Sequence, residues 1–286
     1  MNAKAGEKNQ DKGERIAKVM ARAGLCSRRD AEKWIADGRV SINGTVLKTP
    51  AITVNDGDDV QVDGKKLPTA DRARLWRFHK PKGLITTHKD EKGRTTVFEV
   101  LPPDMPRVVS IGRLDLTSEG LLLLTNDGGL AREMEHPSRG WVRRYRVRVH
   151  GRVDDATLAR LKNGVTVDGV RYGPIDAAVD KAPEGEKKTA SKSNTWVTVA
   201  LTEGKNREVR KVMEFIGLTV NRLIRVSYGP FQLGKLEPGV LEEVPAQVVR
   251  QQLGASAPSG LGKKRQRHEK MGHEKADGES KPWKPI

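Results

Sequence analysis

The spacing of the hydrophobic residues changes from a helical period to a strand period within the first 62 residues of this 286-residue chain. Apolar side chains recur at helical spacing in two stretches, and each stretch ends at a glycine, Gly24 or Gly38. Ser27 precedes the second stretch and suits a helix N-cap. The period then becomes two, and Asn43-Gly44 is a strong hairpin signal. The pattern predicts two short helices followed by a small hairpin sheet.

The rest of the chain mixes strand-like and helical stretches, which predicts an α+β domain with a mostly antiparallel mixed sheet flanked by helices. The expected strands and helices are 141–149, 195–201 and 223–226, and 130–135, 154–161 and 207–216, respectively. Both chain ends are polar and charged, which is typical of disordered basic segments. The predicted regions are an arm at 1–13, a small module at 14–70, a linker at 71–75, a larger domain at 76–250 and a tail at 251–286.

Charge restricts the partners of the chain. Lysine and arginine total 53 against 37 aspartates and glutamates, and the net charge of +16 exceeds what solubility alone requires. This excess predicts a polyanionic partner. No apolar run approaches the roughly 20 residues of a membrane helix, and the N-terminus contains no apolar segment that resembles a secretory signal. Nucleic acid and an anionic membrane surface both fit the charge, whereas a membrane-spanning protein is excluded. We therefore expect a cytoplasmic protein with a polyanionic partner.

Several kinds of cofactor chemistry have no counterpart in the sequence. The single cysteine, Cys26, has no second thiol to pair with, and the six histidines are scattered. The sequence has no phosphate-binding Gly-Lys-Ser/Thr loop, no dinucleotide glycine triplet and no serine nucleophile elbow. We therefore expect neither a metal nor a cofactor.

The small N-terminal module concentrates cations near the starts of its two helices, where a phosphate can also meet helix N-termini. These cations are Arg15, Lys18, Arg22, Arg28, Arg29, Lys33 and Arg39. The run RIAKVMARAGLCSRRDAEKWIADGRVSINGTVL, which covers nearly the whole module, resembles the S4 RNA-binding domain. The resemblance implies an α/β RNA-binding domain in which these cations, apart from Lys18, contact the substrate RNA. The alternative is that they form only a solvated helical face.

A turn rich in polar residues lies between an apolar strand and the run Leu121 to Leu124, within the stretch VVSIGRLDLTSEGLLLLTNDG. Asp115 lies in this turn, and an aspartate in a loop is usually a turn former. Its neighbours indicate more, because Arg113 supplies a cation two residues away and Gly112 and Gly120 permit a sharp backbone path. We therefore interpret Asp115 as a carboxylate presented at the end of a strand.

The residues from Gly112 to Asp115, with the following Ser118, Gly120 and LLTNDG run, resemble the catalytic motif of the pseudouridine synthases. Three further stretches match the family in the same order: KPKG at 80–83, HPSR at 136–139 with RYRV at 144–147, and EGKNREVRK at 203–211. The resemblance spans residues 14–245 and is closest to the RsuA/RluB branch, in particular the RluB type that modifies large-subunit (23S) ribosomal RNA. Glu119 departs from this pattern, since the family more often has a small residue before the glycine.

The resemblance implies an isomerase that converts a uridine of ribosomal RNA to pseudouridine without a cofactor. It assigns Asp115 as the catalytic carboxylate, Arg210 as the cation that keeps Asp115 ionised, and Tyr145 as the residue that stacks on the uracil. It also implies that Arg113 fills the space left by the extruded base, and the basic stretch adds Lys205 and Arg207 as RNA contacts. We expect a monomer.

Other interpretations remain open at the level of the sequence. Arg113 is alternatively a phosphate clamp, and Tyr145 is alternatively a half-buried strand tyrosine without a chemical role. The substrate is alternatively small-subunit (16S) ribosomal RNA. A different class of function is a non-catalytic protein of RNA binding or ribosome assembly that uses only the S4-like module, although such a protein has no need of the Asp115 constellation.

Overall fold

The computed structural model describes residues 13–180, 194–254, 257 and 261. The chain divides between Arg72 and Ala73 into two compact units, and each unit has hydrophobic clusters of its own. The predicted arm, apart from Gly13, lies outside the described residues, as does most of the predicted tail.

The N-terminal unit contains the two helices and the small sheet that its sequence predicts. Its elements are β1 (Glu14–Arg15), α1 (Ile16–Arg22), α2 (Arg28–Ala36), β2 (Val40–Ile42), β3 (Thr45–Val46), β4 (Thr53–Val54), β5 (Val60–Val62) and β6 (Lys65–Lys66). One sheet has the order β3-β2-β5-β6, and β1 pairs with β4. Asn43 and Gly44 have φ angles of 50° and 81°, as a two-residue hairpin turn of type I′ requires.

Helix α2 begins with a reciprocal pair of hydrogen bonds. The hydroxyl of Ser27 accepts from the backbone N–H of Asp30 at 3.0 Å, and the carboxylate of Asp30 accepts from the N–H of Ser27 at 3.3 Å. These bonds satisfy N–H groups that have no partner inside the helix. Ala31 and Ile35 lie one turn apart and are buried with Ile16 of α1. The apolar stripe of α2 therefore faces the core of the unit.

The C-terminal unit is built around one large sheet. Its elements are β7 (Leu75–Lys80), β8 (Val109–Ile111), β9 (Ser118–Thr125), α3 (Gly128–Glu135), β10 (Arg143–His150), α4 (Asp155–Arg160), β11 (Val165–Val167), β12 (Val170–Tyr172), β13 (Ile175–Val179), β14 (Thr195–Leu201), α5 (Glu208–Phe215), β15 (Thr219–Tyr228), β16 (Phe231–Gln232), β17 (Leu241–Val244) and α6 (Ala246–Leu253). The strand order is β13-β14-β10-β15-β9-β7-β17, with β16 beside β15 and β8 beside β9. Only β9 and β15 run parallel among the described strands of this sheet. The predicted mixed, mostly antiparallel sheet with flanking helices is confirmed.

Apolar cores lie on both faces of this sheet. Leu122 and Leu124 belong to one cluster and Leu121 and Leu123 to the other, because successive strand residues point to opposite faces. Helices α4 and α5 contribute to the first cluster, and α3 and α6 to the second. The continuous run of leucines is therefore explained by burial of β9 on both faces.

Two of the predicted boundaries differ from those in the structure. Ala73 and Leu75 are buried, and β7 begins at Leu75, so the C-terminal unit includes residues that the sequence assigns to a linker. At the other end α6 continues to Leu253, beyond the predicted start of the tail at 251. The physical reason is that Val249 and Leu253 lie one turn apart and pack in the second cluster.

Candidate active site

The loop between β8 and β9 presents Asp115. The backbone N–H of Ser118 donates to the carbonyl of Asp115 at 3.0 Å, which closes a turn. Gly112 and Gly120 flank the loop with φ angles of 67° and 104°, in a region that side chains disfavour. Leu114 is buried in the core, whereas the carboxylate of Asp115 remains partly exposed, at 34% of its side-chain surface. The backbone on both sides of Asp115 is therefore fixed, and the carboxylate remains accessible.

Lys80, the last residue of β7, lies beneath this turn. Its ammonium group donates to the carbonyls of Pro81 and Asp115 at 3.1 Å and to the carbonyl of Ser118 at 2.9 Å. The side chain has no exposed surface. Burial lowers the pKa of Lys80 to about 8, although the negative charges of Asp115 and Glu119 act in the opposite direction. Because an ammonium group has three donors, these carbonyls satisfy it fully and connect both ends of the turn to β7.

Two further side chains fix the approach to Asp115. The hydroxyl of Thr86 donates to the carbonyl of Leu114 at 2.9 Å, and the N–H of Leu114 contacts the same hydroxyl at 3.3 Å. The carboxylate of Glu135, on α3, accepts from the N–H of Gly112. The loop that contains Asp115 is therefore held from three different parts of the chain, which is the support that a precisely placed side chain needs.

Asp115 opens into a cleft of about 790 Å³ within the C-terminal unit. Its lining combines apolar strand residues with several cations. The lining residues are Ile85, Thr86, Arg94, Ser110, Gly112, Arg113, Leu114, Asp115, Leu116, Ser118, Glu135, Arg143, Tyr145, Leu201, Gly204, Lys205, Asn206, Arg207, Glu208, Val209, Leu223, Arg225 and Tyr228. The cleft thus brings together Asp115, Arg113, Tyr145, Lys205 and Arg207, which are far apart in the sequence.

The cation nearest to the Asp115 carboxylate differs from the one expected. The structure shows an ion pair between Asp115 Oδ2 and Arg207 Nη1 at 3.7 Å. Arg207 precedes α5 in the left-handed conformation, with a φ of 52°. Arg210 was the expected direct partner, and its guanidinium instead donates to the carbonyls of Thr117 at 3.0 Å and Val220 at 3.2 Å. The first turn of α5 therefore places two arginines at the loop, one at the carboxylate and one at its backbone.

Burial affects the pKa of Arg210. Desolvation, reinforced by the positive charge of Arg207, lowers the pKa of Arg210, and the negative charge of Asp115 acts in the opposite direction. The Nε atom of Arg210 is buried and has no hydrogen-bond partner among the described residues. Arg210 therefore interacts electrostatically with Asp115 while its hydrogen bonds stabilise the loop.

Tyr145 lies on β10 at the floor of the cleft and is 9% exposed. Its cross-strand neighbours are Val199 and Arg225. Arg225 is a buried cation that the sequence analysis missed; its Nε donates to the carbonyl of Leu121 at 2.8 Å, and its guanidinium lies 5.3 Å from the ring centre of Tyr228. A buried arginine in a strand occupies the same alternating position as any other inward-facing residue. The sequence pattern alone therefore does not identify Arg225 as buried.

Glu208 is a second buried charge that the sequence analysis did not single out. It is 4% exposed, and burial raises the pKa of its carboxyl group. One carboxylate oxygen accepts from the N–H of Lys205 at 2.9 Å, and the other has no hydrogen-bond partner among the described residues. The ammonium of Lys205 donates to Glu203 and to the carbonyl of Arg171, both at 2.7 Å. These bonds close the turn that places Arg207 next to Asp115.

The predicted RNA contacts of the N-terminal unit are all exposed. Arg15 and Arg28 line a hollow of about 490 Å³ on this unit. Arg22 forms an ion pair with Glu14 at 2.8 Å, and Arg39 forms one with Asp63 at 2.6 Å. Arg29 and Lys33 are exposed on α2. The six cations therefore divide into some that are compensated by carboxylates and others that remain available to a phosphate.

Two kinds of feature are absent from the described part of the chain. It contains no group of three or more His, Cys, Asp or Glu side chains that is arranged to hold a metal ion. In the same residues, no helix combines the length and apolar character needed to cross a membrane.

Comparison with known proteins adds an independent observation. The family described as RNA pseudouridylate synthase matches residues 74–215, and the S4 domain family matches residues 14–60. An uncharacterized RNA pseudouridine synthase of Rickettsia felis is 47% identical over 81% of this chain and 96% of its own length. The chain belongs to the RNA pseudouridine synthase family. The predicted family, the S4 domain and an isomerase that acts on RNA are thereby confirmed.

Further relatives of this pseudouridine synthase refine the comparison. The ribosomal large subunit pseudouridine synthase B of Escherichia coli (strain K12) is 42% identical over 78% of this chain and 76% of its own length. A crystal structure of a pseudouridylate synthase has a TM-score of 0.57 and 22% identity, and the match covers 84% of this chain and 100% of that one. The likeness to this solved structure shows a shared fold.

Proposed function

We propose that the protein isomerises a uridine of large-subunit ribosomal RNA to pseudouridine, with Asp115 as the catalytic carboxylate. The observation that carries this proposal is the presentation of Asp115 at the cleft, 3.7 Å from Arg207. Its support from relatives is the similarity to the large-subunit synthase of Escherichia coli, whose name gives its substrate. We also propose that the protein acts as a cytoplasmic monomer in ribosome biogenesis, and that 14–70 and 76–250 contain the RNA-binding and catalytic functions.

The reaction requires no external reagent. The bond between the ribose carbon C1′ and N1 of uracil breaks, and C1′ then joins C5 of the same base. C5 loses a proton and N1 gains one, so atoms and electrons balance without an oxidant or an energy source. Asp115 acts at the sugar either as a nucleophile or as a base, and both roles require the ionised carboxylate. Arg207 supplies a positive charge 3.7 Å from that carboxylate.

The cleft supplies the other contacts that the reaction needs. A uridine in structured RNA must leave its stack to reach Asp115, which requires a few kcal/mol. Arg113 is exposed at the rim of the cleft, in position to occupy the space that the base vacates. Tyr145 at the floor provides a flat apolar surface for the uracil ring. Lys205 and Arg207 lie on the same rim and suit the flanking phosphates.

The S4 domain supplies affinity in this proposal. Its exposed cations, Arg15, Arg22, Arg28, Arg29, Lys33 and Arg39, bind phosphates, which positions the RNA without reading its sequence. Arg15 and Arg28 are the strongest candidates, because they share a hollow and have no ion pair in the described part of the chain. Arg22 and Arg39 are partly compensated by Glu14 and Asp63.

The substrate is identified by mapping pseudouridines on both ribosomal RNAs from a strain that lacks this protein. We expect one site to be lost from the large-subunit RNA and restored by the intact gene. Loss from the small-subunit RNA would replace the proposed substrate by the alternative one. An unchanged map, together with unchanged ribosome assembly, would contradict a ribosomal RNA substrate.

The role of Asp115 is tested by Asp115→Asn, which preserves shape but removes the negative charge. We expect turnover to fall far more than tenfold, where each factor of ten corresponds to about 1.4 kcal/mol of barrier. Affinity for RNA should change much less. The measurement is tritium release from C5-labelled uridine under single-turnover conditions, which reports the chemical step.

Asp168→Asn is the matched control. Asp168 is exposed and has a φ of 48° in the turn between β11 and β12, where asparagine is equally acceptable. This variant removes the same charge from the same unit, and its rate should equal that of the parent. A rate for Asp115→Asn within tenfold of the parent would exclude Asp115 from the mechanism.

A further inference from the structure

On the face opposite Tyr145, part of the large sheet is not covered by any described element of the C-terminal unit. On β10, Tyr145 and Val147 are buried, whereas the alternating Arg144, Arg146 and Arg148 are exposed. The helices α3 and α6 belong to the apolar cluster that covers the same face over β7 and β9. Over β10 and β14, the cross-strand neighbours of these arginines are only partly buried. An open strip of sheet therefore presents three arginines from one strand, on the opposite side from the cleft floor.

The three arginines are not equally compensated. Arg146 is held by the carboxylate of Asp180 at 2.9 Å, and its guanidinium lies 4.8 Å from the ring centre of Trp196. Arg144 and Arg148 have no hydrogen bond, ion pair or ring contact within the part of the chain that the structure describes. No carboxylate of the described residues pairs with either of these two arginines, and Asp176, which lines a hollow together with Arg144, pairs with Lys162 at 3.3 Å.

The pairing of Arg148 with another arginine lowers the stability of the fold. Arg148 lies directly across from Arg222 on β15, and like charges in opposite positions destabilise a sheet. Arg222 relieves part of this repulsion through two hydrogen bonds to Glu119, at 3.0 and 2.8 Å. No such carboxylate contacts Arg148 among the described residues. An anionic partner would offset the remaining repulsion.

The spacing indicates what kind of anion suits the strip. Alternate residues of a strand are roughly 7 Å apart, so Arg144, Arg146 and Arg148 leave the strand one after another along one line. A line of cations suits a polyanion with repeated charges better than a single small anion. Guanidinium groups bind phosphate oxygens in pairs of hydrogen bonds. The family already acts on RNA, which is such a polyanion.

We propose that Arg144 and Arg148, on either side of Arg146, bind the phosphodiester backbone of the substrate RNA outside the segment that enters the cleft. The proposal rests on the proposed function only in its choice of ribosomal RNA as the partner. The tail of this chain does not suit the strip, because residues 262–286 contain eight lysines and arginines against four aspartates and glutamates. The strip thus extends the RNA contact to a second face of the catalytic unit.

The test uses the full chain with Arg144→Ala and Arg148→Ala combined. Binding to an in vitro transcript of large-subunit ribosomal RNA is measured over a series of salt concentrations. We expect weaker binding, and a slope of log affinity against log salt that is reduced by roughly 1.4 to 1.8, about 0.7 to 0.9 for each phosphate that is no longer bound. The single-turnover rate at saturating RNA should stay within about twofold of the parent, because neither arginine lines the cleft.

Two control variants make the comparison specific. Arg132→Ala with Arg160→Ala removes the same charge from exposed positions on α3 and α4, and should leave the slope nearly unchanged. Arg144→Lys with Arg148→Lys keeps the charge, and should restore most of the slope. An equal loss in both alanine pairs would show that only net charge matters, and an unchanged slope in the first would assign the strip to solvent or to a protein partner. Either result overturns the proposal, whereas a transcript that binds normally but is not modified contradicts only the proposed function.

Discussion

Arg207 and Arg210 lie one helical turn apart and contact the loop that contains Asp115 in different ways. Arg207 meets the carboxylate of Asp115 at 3.7 Å, and Arg210 donates to the carbonyl of Thr117, two residues further along. The motif in the sequence indicates that a cation serves Asp115, and the expected residue was Arg210. It does not indicate which arginine reaches the carboxylate, because that depends on the left-handed backbone of Arg207.

We predict that Arg207→Met and Arg210→Met affect the reaction differently. Arg207→Met removes the cation beside the carboxylate but no hydrogen bond of the loop backbone, so we expect a lower single-turnover rate with a nearly unchanged free energy of unfolding. Arg210→Met removes the donors to Thr117 and Val220, so we expect both the rate and the free energy of unfolding to fall, the latter by about 1 kcal/mol or more. Single-turnover rates and unfolding in urea provide the measurements.

The two variants control for each other, since each removes one guanidinium from the start of the same helix. A lower rate in Arg210→Met alone, with unchanged stability in that variant, would contradict this assignment. It would also restore Arg210 as the principal charge partner of Asp115.

Lys80 illustrates what the sequence shows at the scale of single residues and what it does not. The stretch KPKG matches the family and marks a functional region. The role of Lys80 emerges only from the structure, since its ammonium donates to carbonyls of residues 115 and 118, more than 30 positions away. Every residue has a backbone carbonyl, so no pattern of residue types indicates which carbonyls accept from Lys80. Glu135 was missed for a related reason, because its partner is the backbone N–H of Gly112.

At the scale of elements, the parallel pairing of β9 with β15 starts at Ser118, where the loop that contains Asp115 ends. The sequence predicts four residues of β15, whereas the strand spans Thr219–Tyr228. Its N-terminal part carries polar residues that weaken the strand pattern, yet it pairs with β10. Register across a parallel pair depends on the tertiary structure, because no short turn connects the two strands. The local alternation of β10 and the hairpin at Asn43 were predictable because they depend on neighbouring residues alone.

Gly120 tests the importance of this pairing. A Cβ atom at Gly120 would lie 2.3 Å from the carbonyl oxygen of Arg225, and the φ of Gly120 is 104°. We predict that Gly120→Ala destabilises the protein by more than about 3 kcal/mol, because steric overlap with a backbone adds to conformational strain. The measurement is the free energy of unfolding in urea.

Gly217→Ala is the control for strain without overlap. Gly217 has a φ of 81°, and a Cβ atom added there would meet no atom within 4 Å other than those of its chain neighbours. Conformational strain alone should reduce the free energy of unfolding by about 1 kcal/mol. An equal loss of free energy of unfolding in the two variants would contradict the prediction that the close approach of β9 and β15 makes Gly120→Ala more destabilising.

At the scale of the whole molecule, the two units have separate cores, and the residues that line the cleft all belong to the C-terminal unit. The S4 domain was recognisable from the sequence because its helices and hairpin are local and its motif is continuous. The division falls between Arg72 and Ala73, and the linker predicted at 71–75 indicated it only within a few positions. A buried alanine next to a polar stretch gives no signal that a core has begun.

This separation predicts that the S4 domain contributes affinity and the C-terminal unit chemistry. Deletion of residues 1–72 should weaken RNA binding and reduce its salt dependence by roughly 0.7 to 0.9 for each phosphate that is no longer bound. The single-turnover rate at saturating RNA should remain close to that of the full chain, since every lining residue of the cleft is retained. Unchanged affinity and slope would contradict the role of the S4 domain, and an inactive but folded C-terminal unit would contradict its independence.

The hollow beside Arg15 allows a finer prediction about the S4 domain in the full chain. Arg15→Ala with Arg28→Ala should reduce the salt slope of RNA binding more than Arg22→Ala with Arg39→Ala does. The second pair removes arginines whose charges are already compensated by carboxylates at 2.8 and 2.6 Å, so fewer counterion-releasing phosphate contacts depend on them. Both pairs remove the same net charge from the same domain. An equal effect of the two pairs would therefore mean that binding depends on net charge and not on the hollow.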